Sequence, residues 1–277
     1  MQQKEGFFRG AGNFNLYWKA WLPDGKPKAI ILVAHGLGEH INRYTNLVNN
    51  VIPRNYAVYG LDHRGHGKSE GPRCYIDRFQ IYIDDLKTFA DMVCKENPGL
   101  KTILLGHSMG GLIATCYAEQ HQDELCCLVV SAPLLAPGDS VAPATITMAK
   151  ILSVLTPRLG VQTLDSTYLS HDRAVVEAYD RDPLVYRGKI TARLGSEMFT
   201  TMFRVQQGMP ALKIPLLIMQ GTGDKLVSPE GAKLLHTRAG SADRTLKMYD
   251  GFYHELFNEP DREKVFADLV PWLDSHI

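Results

Sequence analysis

The sequence predicts an α/β protein whose mainly parallel sheet is flanked by helices. Short apolar runs bounded by Gly, Pro or Asp alternate with longer stretches whose apolar residues recur at helical spacing. Helical spacing is clearest in residues 79–93 and 265–273. Because strand and helix alternate, neighbouring strands should run in the same direction. The predicted buried strands are residues 29–34, 57–61, 102–105, 128–130, 216–219 and 246–249.

One long interruption breaks this alternation. Residues 133–210 separate two predicted strands, whereas the usual connection has about a dozen residues or fewer. We predict that this segment is an inserted, mainly helical cap. The core domain would then consist of residues 1–132 and 211–277.

Part of the predicted cap is almost free of charge, since Lys150 is the only charged residue between Asp139 and Arg158. A proline and two threonines interrupt this stretch, which argues against a membrane span of about 20 predominantly apolar residues. Exposed apolar patches often mark contact with another surface, so we expect transient contact with a lipid surface, or packing inside the cap as the alternative. The apolar residues concerned are Val141, Ile146, Met148, Ile151, Leu152 and Leu155.

Charge and cysteine content limit the compartment and the partners. Thirty basic and thirty acidic residues cancel, so charge indicates no attraction to nucleic acid. The five cysteines lack the spacing of a disulfide framework or a zinc site. Lys4, Glu5 and Arg9 leave no room for the apolar run of a signal peptide. We therefore expect a cytoplasmic protein with reduced thiols that acts on a small, neutral partner.

A predicted strand, a tight turn and a predicted helix meet at Ser108. Residues 102–105 run directly into Gly106-His107-Ser108-Met109-Gly110, and residues 112–120 have helical character. The glycines let strand and helix approach closely, while a strained turn projects the serine hydroxyl outward. The five-residue pattern alone would arise by chance in about one such chain in ten. In its strand-turn-helix context it predicts a nucleophilic serine.

A serine nucleophile requires a histidine base and an acid that orients the histidine. Asp224 and His254 each follow a predicted strand, so both should lie at the same sheet edge as Ser108. We predict that His254 is the general base and that Asp224 fixes its tautomer. Asp250 is the alternative acid, but it lies only four residues before His254. The chain order nucleophile, acid, base favours Asp224.

Two backbone N–H groups are candidates for an oxyanion hole. The predicted strand 29–34 ends in His35-Gly36-Leu37-Gly38, whose glycines free the backbone to present the Leu37 N–H. Met109 begins the helix after Ser108, so its N–H and the helix dipole point towards the same oxygen. We predict that Leu37 and Met109 stabilise the oxyanion. For Leu37 the alternative is a simple glycine-rich turn between strand and helix.

A metal site is not predicted. His63 and His66 occur in a short histidine-rich loop, but no further Cys, His or carboxylate completes a ligand set. We expect both histidines to order their loop. The predicted chemistry requires neither a metal nor an organic cofactor.

With these motifs in place, the sequence resembles the monoacylglycerol lipases, within the wider α/β-hydrolase superfamily that includes lysophospholipases. The resemblance implies the α/β-hydrolase fold, a lid over a long apolar acyl tunnel, and a small polar pocket for glycerol. It runs through most of the chain and rests on residues 35–40, 43–44, 62–71, 104–111, 179–184, 220–224 and 253–254.

The resemblance also implies a substrate pocket. Glu39, Arg43 and Tyr179 match positions of the polar pocket. Their alternative role is an ion pair and a buried tyrosine that secure the cap. Phe257 replaces a histidine that lines the glycerol pocket in mammalian relatives, and Leu37 is bulkier than their usual alanine. Because phenylalanine removes a hydrogen-bonding partner, weaker discrimination between glycerol esters and simple alkyl esters is expected.

The activity that the resemblance implies is hydrolysis of monoacylglycerols to fatty acid and glycerol through an acyl-enzyme intermediate. The alternatives are a lysophospholipase, a broad carboxylesterase, a cofactor-free haloperoxidase and a hydrolase-fold protein that binds a lipid without turnover. The predicted set of Ser108, His254 and Asp224 argues against the last.

Overall fold

The computed structural model describes residues 1–137 and 143–277 of the chain. The strands are β1 (Gln2–Arg9), β2 (Asn15–Leu22), β3 (Ala29–Ala34), β4 (Tyr56–Leu61), β5 (Lys101–His107), β6 (Cys127–Ser131), β7 (Gly160–Gln162), β8 (Ile190–Thr191), β9 (Leu216–Gly221) and β10 (Arg244–Tyr249). The α-helices are α1 (Thr45–Val51), α2 (Gln80–Glu96), α3 (Met109–His121), α4 (Pro143–Leu155), α5 (Arg173–Arg181), α6 (Ala192–Gly208), α7 (Pro229–Arg238) and α8 (Glu263–Ser275).

One large sheet has the strand order β1-β2-β4-β3-β5-β6-β9-β10. Strand β2 is antiparallel to both of its neighbours, and from β4 to β10 all pairs are parallel. The prediction of a mainly parallel sheet is therefore confirmed. The short strands β7 and β8 form a separate antiparallel pair.

Strands β1 and β2 were not predicted from the sequence. Strand β1 is exposed along most of its length, and β2 alternates in pairs between buried and half-buried positions. An edge hairpin that shows one face to solvent contains no continuous apolar run, so it lacked the signal that identified the central strands.

The central strands are buried on both faces. Ile30 and Leu32 of β3 pack in one cluster with residues of α2 and α3, whereas Ile31 and Val33 pack in the other with residues of α1 and α8. Strands covered on both sides read as unbroken apolar runs. Their carboxyl ends form one edge of the sheet, where loops from several strands meet.

The segment between β6 and β9 contains α4, α5, α6 and the β7–β8 pair. Helix α6 contributes Leu194, Met198, Met202 and Val205 to the same apolar cluster as α3. This segment therefore packs over the carboxyl edge of the sheet near α3. The division into a core and a cap at residues 133–210 remains a prediction.

The apolar surface predicted in this segment is largely present on α4. Met148, Ile151 and Leu155 are exposed, and Ile146 and Leu152 are half-buried. Asp139 and Val141 lie outside the described residues. None of the described helices combines the length and the apolarity that crossing a bilayer requires.

Candidate active site

Ser108 lies on the turn that joins β5 to α3. Its φ of 56° and ψ of −120° cost a residue with a side chain about 1–3 kcal/mol. The turn is held from both sides, since the Ser108 N–H donates to the Ser131 carbonyl at 3.0 Å and the Ser108 carbonyl accepts from the Leu134 N–H at 3.0 Å. The strained backbone thus holds Ser108 at the carboxyl edge of the sheet.

Two glycines make room for this turn. A Cβ on Gly106 would lie 2.3 Å from the Gly110 carbonyl oxygen, and one on Gly110 would lie 2.0 Å from the Ala34 carbonyl oxygen. Both distances are far inside van der Waals contact, so a larger residue requires movement of the backbone. The glycines of the sequence motif are therefore explained by the close approach of α3 to β3 and β5.

A buried hydrogen bond joins His254 to Asp224. His254 Nδ1 lies 2.8 Å from Asp224 Oδ2, and both side chains are almost fully buried. The other carboxylate oxygen of Asp224 accepts from two N–H groups of the following turn, at 2.8 and 3.1 Å. Asp250 is exposed and its carboxylate accepts instead from the Thr222 hydroxyl. The structure thus brings Asp224, and not Asp250, to the histidine.

Charges around His254 favour its protonated form. Burial lowers the pKa of His254, but the charge and hydrogen bond of Asp224 raise it, and Glu255 and Glu39 add to this effect. The net result is a pKa above the ordinary value for histidine. For Asp224, burial raises the pKa, and the partner histidine and the two N–H groups outweigh burial and lower it. An ionised carboxylate beside a readily protonated imidazole suits general-base catalysis.

The N–H groups of Leu37 and Met109 have no hydrogen-bond acceptor among residues 1–137 and 143–277. Leu37 lies on the turn after β3, and Met109 is the first residue of α3. The two turns are close, because a Cβ on Gly36 would lie 3.2 Å from the Ser108 Cβ. Two N–H donors without acceptors therefore flank the serine, as an oxyanion hole requires.

The predicted pocket residues Glu39 and Arg43 form a buried ionic cluster with Glu255. Arg43 Nη1 donates to Glu39 Oε2 at 3.0 Å and to Glu255 Oε1 at 2.5 Å, and Nη2 donates to Glu255 Oε2 at 2.9 Å. Glu39 Oε1 accepts from the Gly36 N–H at 2.6 Å and from the Tyr44 hydroxyl at 2.8 Å. The cluster therefore contains two carboxylates and one guanidinium.

Tyr179 of α5 joins this cluster through its ring. The Arg43 guanidinium lies 4.6 Å from the ring centroid, within the range of a cation–π contact. The Tyr179 hydroxyl has no hydrogen-bond partner in the described part of the chain. Together with Ser108 and His254, Tyr179 borders a small cavity of about 10 Å³. A hydrogen-bonding group without a partner is thus available beside the serine.

Phe257 supplies an apolar wall to an adjoining cavity of about 20 Å³, which Glu39, Arg43 and His107 also line. The Phe257 ring packs on Phe266 at 5.5 Å between centroids. Cavities of this size hold about one water molecule each. A larger alcohol group must therefore displace side chains to enter this side of the site.

A much larger cavity of about 690 Å³ also opens at Ser108. It reaches from Ser108, Leu37 and His254 to α4 and α6. A mainly apolar space of this volume matches typical ligand sites. The apolar residues that line it include Leu134, Met148, Leu152, Met198, Phe199 and Met202.

The histidine-rich loop lies behind the site and holds its histidines in a neutral state. The His35 and His63 rings lie 4.3 Å apart, and the His63 N–H donates to His35 Nε2 at 2.8 Å. Burial lowers the pKa of His63 to about 3 and that of His66 to about 4. The described residues contain no group of three or more potential ligands arranged to hold a metal.

Sequence reasoning missed Glu255 and Tyr44. Glu255 directly follows His254, and Tyr44 directly follows Arg43, but neither matches a catalytic motif. Arg43 and Glu255 are 212 positions apart. Their pairing is visible only once the fold brings the two loops together.

An elbow serine after β5, with its acid and its histidine following β9 and β10, is an arrangement that α/β-hydrolases share. The strand order and the two-sided helical packing agree with that assignment. We therefore assign the fold to the α/β-hydrolase class, which confirms the predicted fold class.

Within that class, a family model described as serine aminopeptidase S33 (Hydrolase_4) matches residues 25–261, and the chain belongs to this family. It is 36% identical over 275 residues to the monoacylglycerol lipase of Mycolicibacterium smegmatis, a match that covers 99% of this chain and 98% of that protein. It is 37% identical over 263 residues to human monoglyceride lipase, covering 94% of this chain and 87% of that protein.

A solved structure shows the same likeness. The crystal structure of Paleococcus ferrophilus monoacylglycerol lipase matches with a TM-score of 0.84 and 31% identity, and the match covers 100% of both chains. The resemblance drawn from the sequence is therefore confirmed, as is the enzyme class of a carboxylic ester hydrolase. The roles of individual residues remain predictions.

Proposed function

We propose that this protein hydrolyses monoacylglycerols to fatty acid and glycerol through an acyl-enzyme intermediate on Ser108. The observation that carries the proposal is the pair of unlike spaces beside that serine. One is an apolar cavity of about 690 Å³, and the other borders the ionic cluster and the free Tyr179 hydroxyl. An ester with one long apolar arm and one small hydroxylated arm matches the chemistry of these two spaces, and its glycerol group enters the polar one by displacing the side chains that narrow it. The names of the relatives described above support the same substrate.

In the first step His254 removes the proton from the Ser108 hydroxyl, and the serine oxygen attacks the ester carbonyl. The tetrahedral oxyanion accepts hydrogen bonds from the Leu37 and Met109 N–H groups. His254 then protonates the departing alcohol. In the second step His254 activates a water molecule, which releases the fatty acid from the serine.

The oxyanion donors and Asp224 lower the reaction barrier in different ways. One oxyanion donor typically accounts for a factor of about 100 to 1,000 in turnover. Asp224 stabilises the imidazolium that forms when His254 takes the proton, and holds the ring in the tautomer that leaves Nε2 unprotonated as the base. The reaction needs neither a metal nor an organic cofactor, because the protein supplies base, nucleophile and oxyanion donors itself.

On the alcohol side, we assign glycerol binding to Glu39, Arg43 and Tyr179. Their ion pair and ring contact also tie α5 to the core, so the arrangement serves binding and cap attachment together. The buried carboxylates exceed the guanidinium by one negative charge. This excess favours a neutral alcohol over an anionic one, because like charges repel strongly in a poorly hydrated site.

The segment 133–210 acts as a cap in this proposal, and its exposed apolar face contacts the lipid surface that supplies the substrate. The side chains of Met148, Ile151, Val154, Leu155 and Leu159 are 54%, 47%, 74%, 73% and 48% exposed. They lie on or just after α4, which also lines the large cavity. Apolar surface beside a cavity entrance suits the uptake of a lipid from a membrane.

A panel of purified esters tests the function. Monooleoylglycerol should give the highest kcat/KM, about fivefold or more above ethyl oleate, which corresponds to about one neutral hydrogen bond. Lysophosphatidylcholine and a short nitrophenyl ester complete the panel. A higher kcat/KM for lysophosphatidylcholine would identify a lysophospholipase instead, and equal rates for all oleoyl esters would identify a broad carboxylesterase.

The control for this panel is Tyr179→Phe. It removes a hydroxyl that bonds no described residue and retains the ring under Arg43. The KM for monooleoylglycerol should rise about fivefold, while ethyl oleate hydrolysis stays unchanged. An equal change for both esters would remove Tyr179 from the glycerol site.

The pH dependence of kcat/KM follows from the His254 environment. Only the unprotonated imidazole can act as base, and its pKa lies above the ordinary 6.5. Activity should therefore rise with pH through a midpoint above 6.5. His107 also faces His254, but burial and the His254 charge lower the pKa of His107 to about 4, so it does not titrate in this range. Rates measured from about pH 5 to pH 9 check this, and a midpoint below 6.5 would contradict it.

A further inference from the structure

A second set of contacts holds the His254 loop from behind. The His254 N–H donates to the Tyr168 carbonyl at 3.4 Å, and the Glu255 N–H donates to the Leu169 carbonyl at 2.8 Å. We call residues 168–171 and 253–259 together the clasp. It joins the segment between β6 and β9 to the loop that carries the proposed base.

Glu259 is the centre of the clasp. Its side chain is 2% exposed, and its Oε1 accepts from the Tyr253 N–H at 2.6 Å. Its Oε2 accepts from the His171 N–H at 3.2 Å, and the His171 Nδ1 lies 3.1 Å from Oε1 and 3.2 Å from Oε2. The His171 ring stacks on Tyr253 with 3.7 Å between centroids. One buried carboxylate therefore organises both sides of the clasp.

The clasp supplies hydrogen-bond acceptors for three consecutive backbone N–H groups. The N–H groups of Tyr253, His254 and Glu255 all donate to partners in the clasp, outside their own turn. The shortest of these three hydrogen bonds is the one to the Glu259 carboxylate, at 2.6 Å. Asp224 fixes the imidazole ring of His254, whereas Glu259 fixes the Phe252–Tyr253 peptide, one residue before the peptide that carries the His254 N–H.

We propose that Glu259 is a positioning residue for the reaction. Through the Tyr253 N–H and its contacts with His171, it holds the His254 backbone at the correct position relative to Ser108. Glu259 itself lines none of the three cavities described at the site. The proposal rests on the role of His254 in the proposed function. It adds that the catalytic loop is held by a contact with the segment between β6 and β9, and not by Asp224 alone.

The expected effect of Glu259→Ala is a kcat about 100-fold lower with a KM within about threefold of the wild type, because misplacement of a catalytic group by about 1 Å costs this much. The loss should be equal for monooleoylglycerol and ethyl oleate, since Glu259 contacts neither alcohol. Glu259→Gln should be intermediate, about fivefold below the wild type, because its amide oxygen still accepts from Tyr253 while its amide nitrogen opposes the His171 donors.

The decisive measurement is the rate constant for labelling Ser108 with a small fluorophosphonate, together with kcat per titrated active site. A purely structural role would lower the number of active sites and leave both quantities unchanged. Glu263→Ala is the matched control, since Glu263 is an exposed glutamate at the start of α8, and it should match the wild type. A labelling rate and a kcat per site within about twofold of the wild type in Glu259→Ala would overturn the proposal.

A folding failure of the variant and a failure of the proposed substrate can each be distinguished from a failure of the Glu259 proposal. If Glu259→Ala does not fold, Glu259→Gln decides: slower labelling supports the proposal and wild-type labelling overturns it. If the wild type labels at Ser108 but hydrolyses no monoacylglycerol, the proposed substrate fails while the labelling rates of the variants still test Glu259. A wild type that does not label at Ser108 would overturn both proposals.

Discussion

Ser108→Ala is expected to lower ester turnover by about a million-fold and to abolish labelling by a fluorophosphonate. The substitution removes the only atom that can form the acyl-enzyme, while the two oxyanion donors remain. The fold should be preserved, because alanine retains a Cβ and its backbone can keep the hydrogen bonds to Ser131 and Leu134. Turnover, labelling and the thermal midpoint measured on the same preparation check this result.

The matched control is Ser153→Ala, a buried serine on α4 whose hydroxyl donates to the Lys150 carbonyl. It should label at the wild-type rate. Mass spectrometry of the labelled wild type should locate the probe on Ser108. A probe found on another serine, or labelling that persists in Ser108→Ala, would show that the nucleophile lies elsewhere.

Asp224→Asn is expected to lower kcat by about 10,000-fold. The asparagine amide donates where the carboxylate accepts from His254 Nδ1 at 2.8 Å, so the imidazole adopts the wrong tautomer. The negative charge is lost as well, so the pKa of His254 falls and any residual activity should have its midpoint at lower pH. The other oxygen can still accept from the two N–H groups of the following turn, which preserves the loop.

Asp250→Asn tests the alternative acid with the same chemical change. Asp250 is exposed and its carboxylate meets the Thr222 hydroxyl, so this variant should stay within about twofold of the wild type. A large loss of activity in Asp250→Asn, with little loss in Asp224→Asn, would show that Asp250, and not Asp224, orients His254.

Most of the strands that the sequence predicted share one property, which is burial on both faces. The exception is β10, which lies at the sheet edge and is only half-buried along most of its length, so the prediction that residues 246–249 are buried was wrong. Strand β3 was predicted with the bounds that the structure shows, and β9 with its correct start. Strands β1 and β2 were missed because their exposed faces break the apolar pattern. Burial on both faces leaves a continuous signal in the chain, whereas an edge hairpin leaves a weak one.

Some residues of the candidate site could be predicted from the sequence around them, and others could not. Local motifs predicted Ser108, Asp224, His254, Leu37 and Met109, because each lies within a few residues of the carboxyl end of a strand. The structure brings Ser108, Leu37 and His254 to one cavity and joins Asp224 to His254. Glu39, Arg43 and Tyr179 were proposed only through the resemblance, since no local pattern marks them.

By itself, the sequence determined the order of the elements, the strained elbow and the residue types that the chemistry needs, because these depend on neighbours within a few positions. Only the tertiary structure decided which acid meets His254, how Glu255 completes the ionic cluster and which groups Glu259 contacts. The contacts of Glu259 with His171 join positions 88 residues apart. Such pairings depend on how loops from distant strands meet at one sheet edge, and local spacing does not encode that meeting.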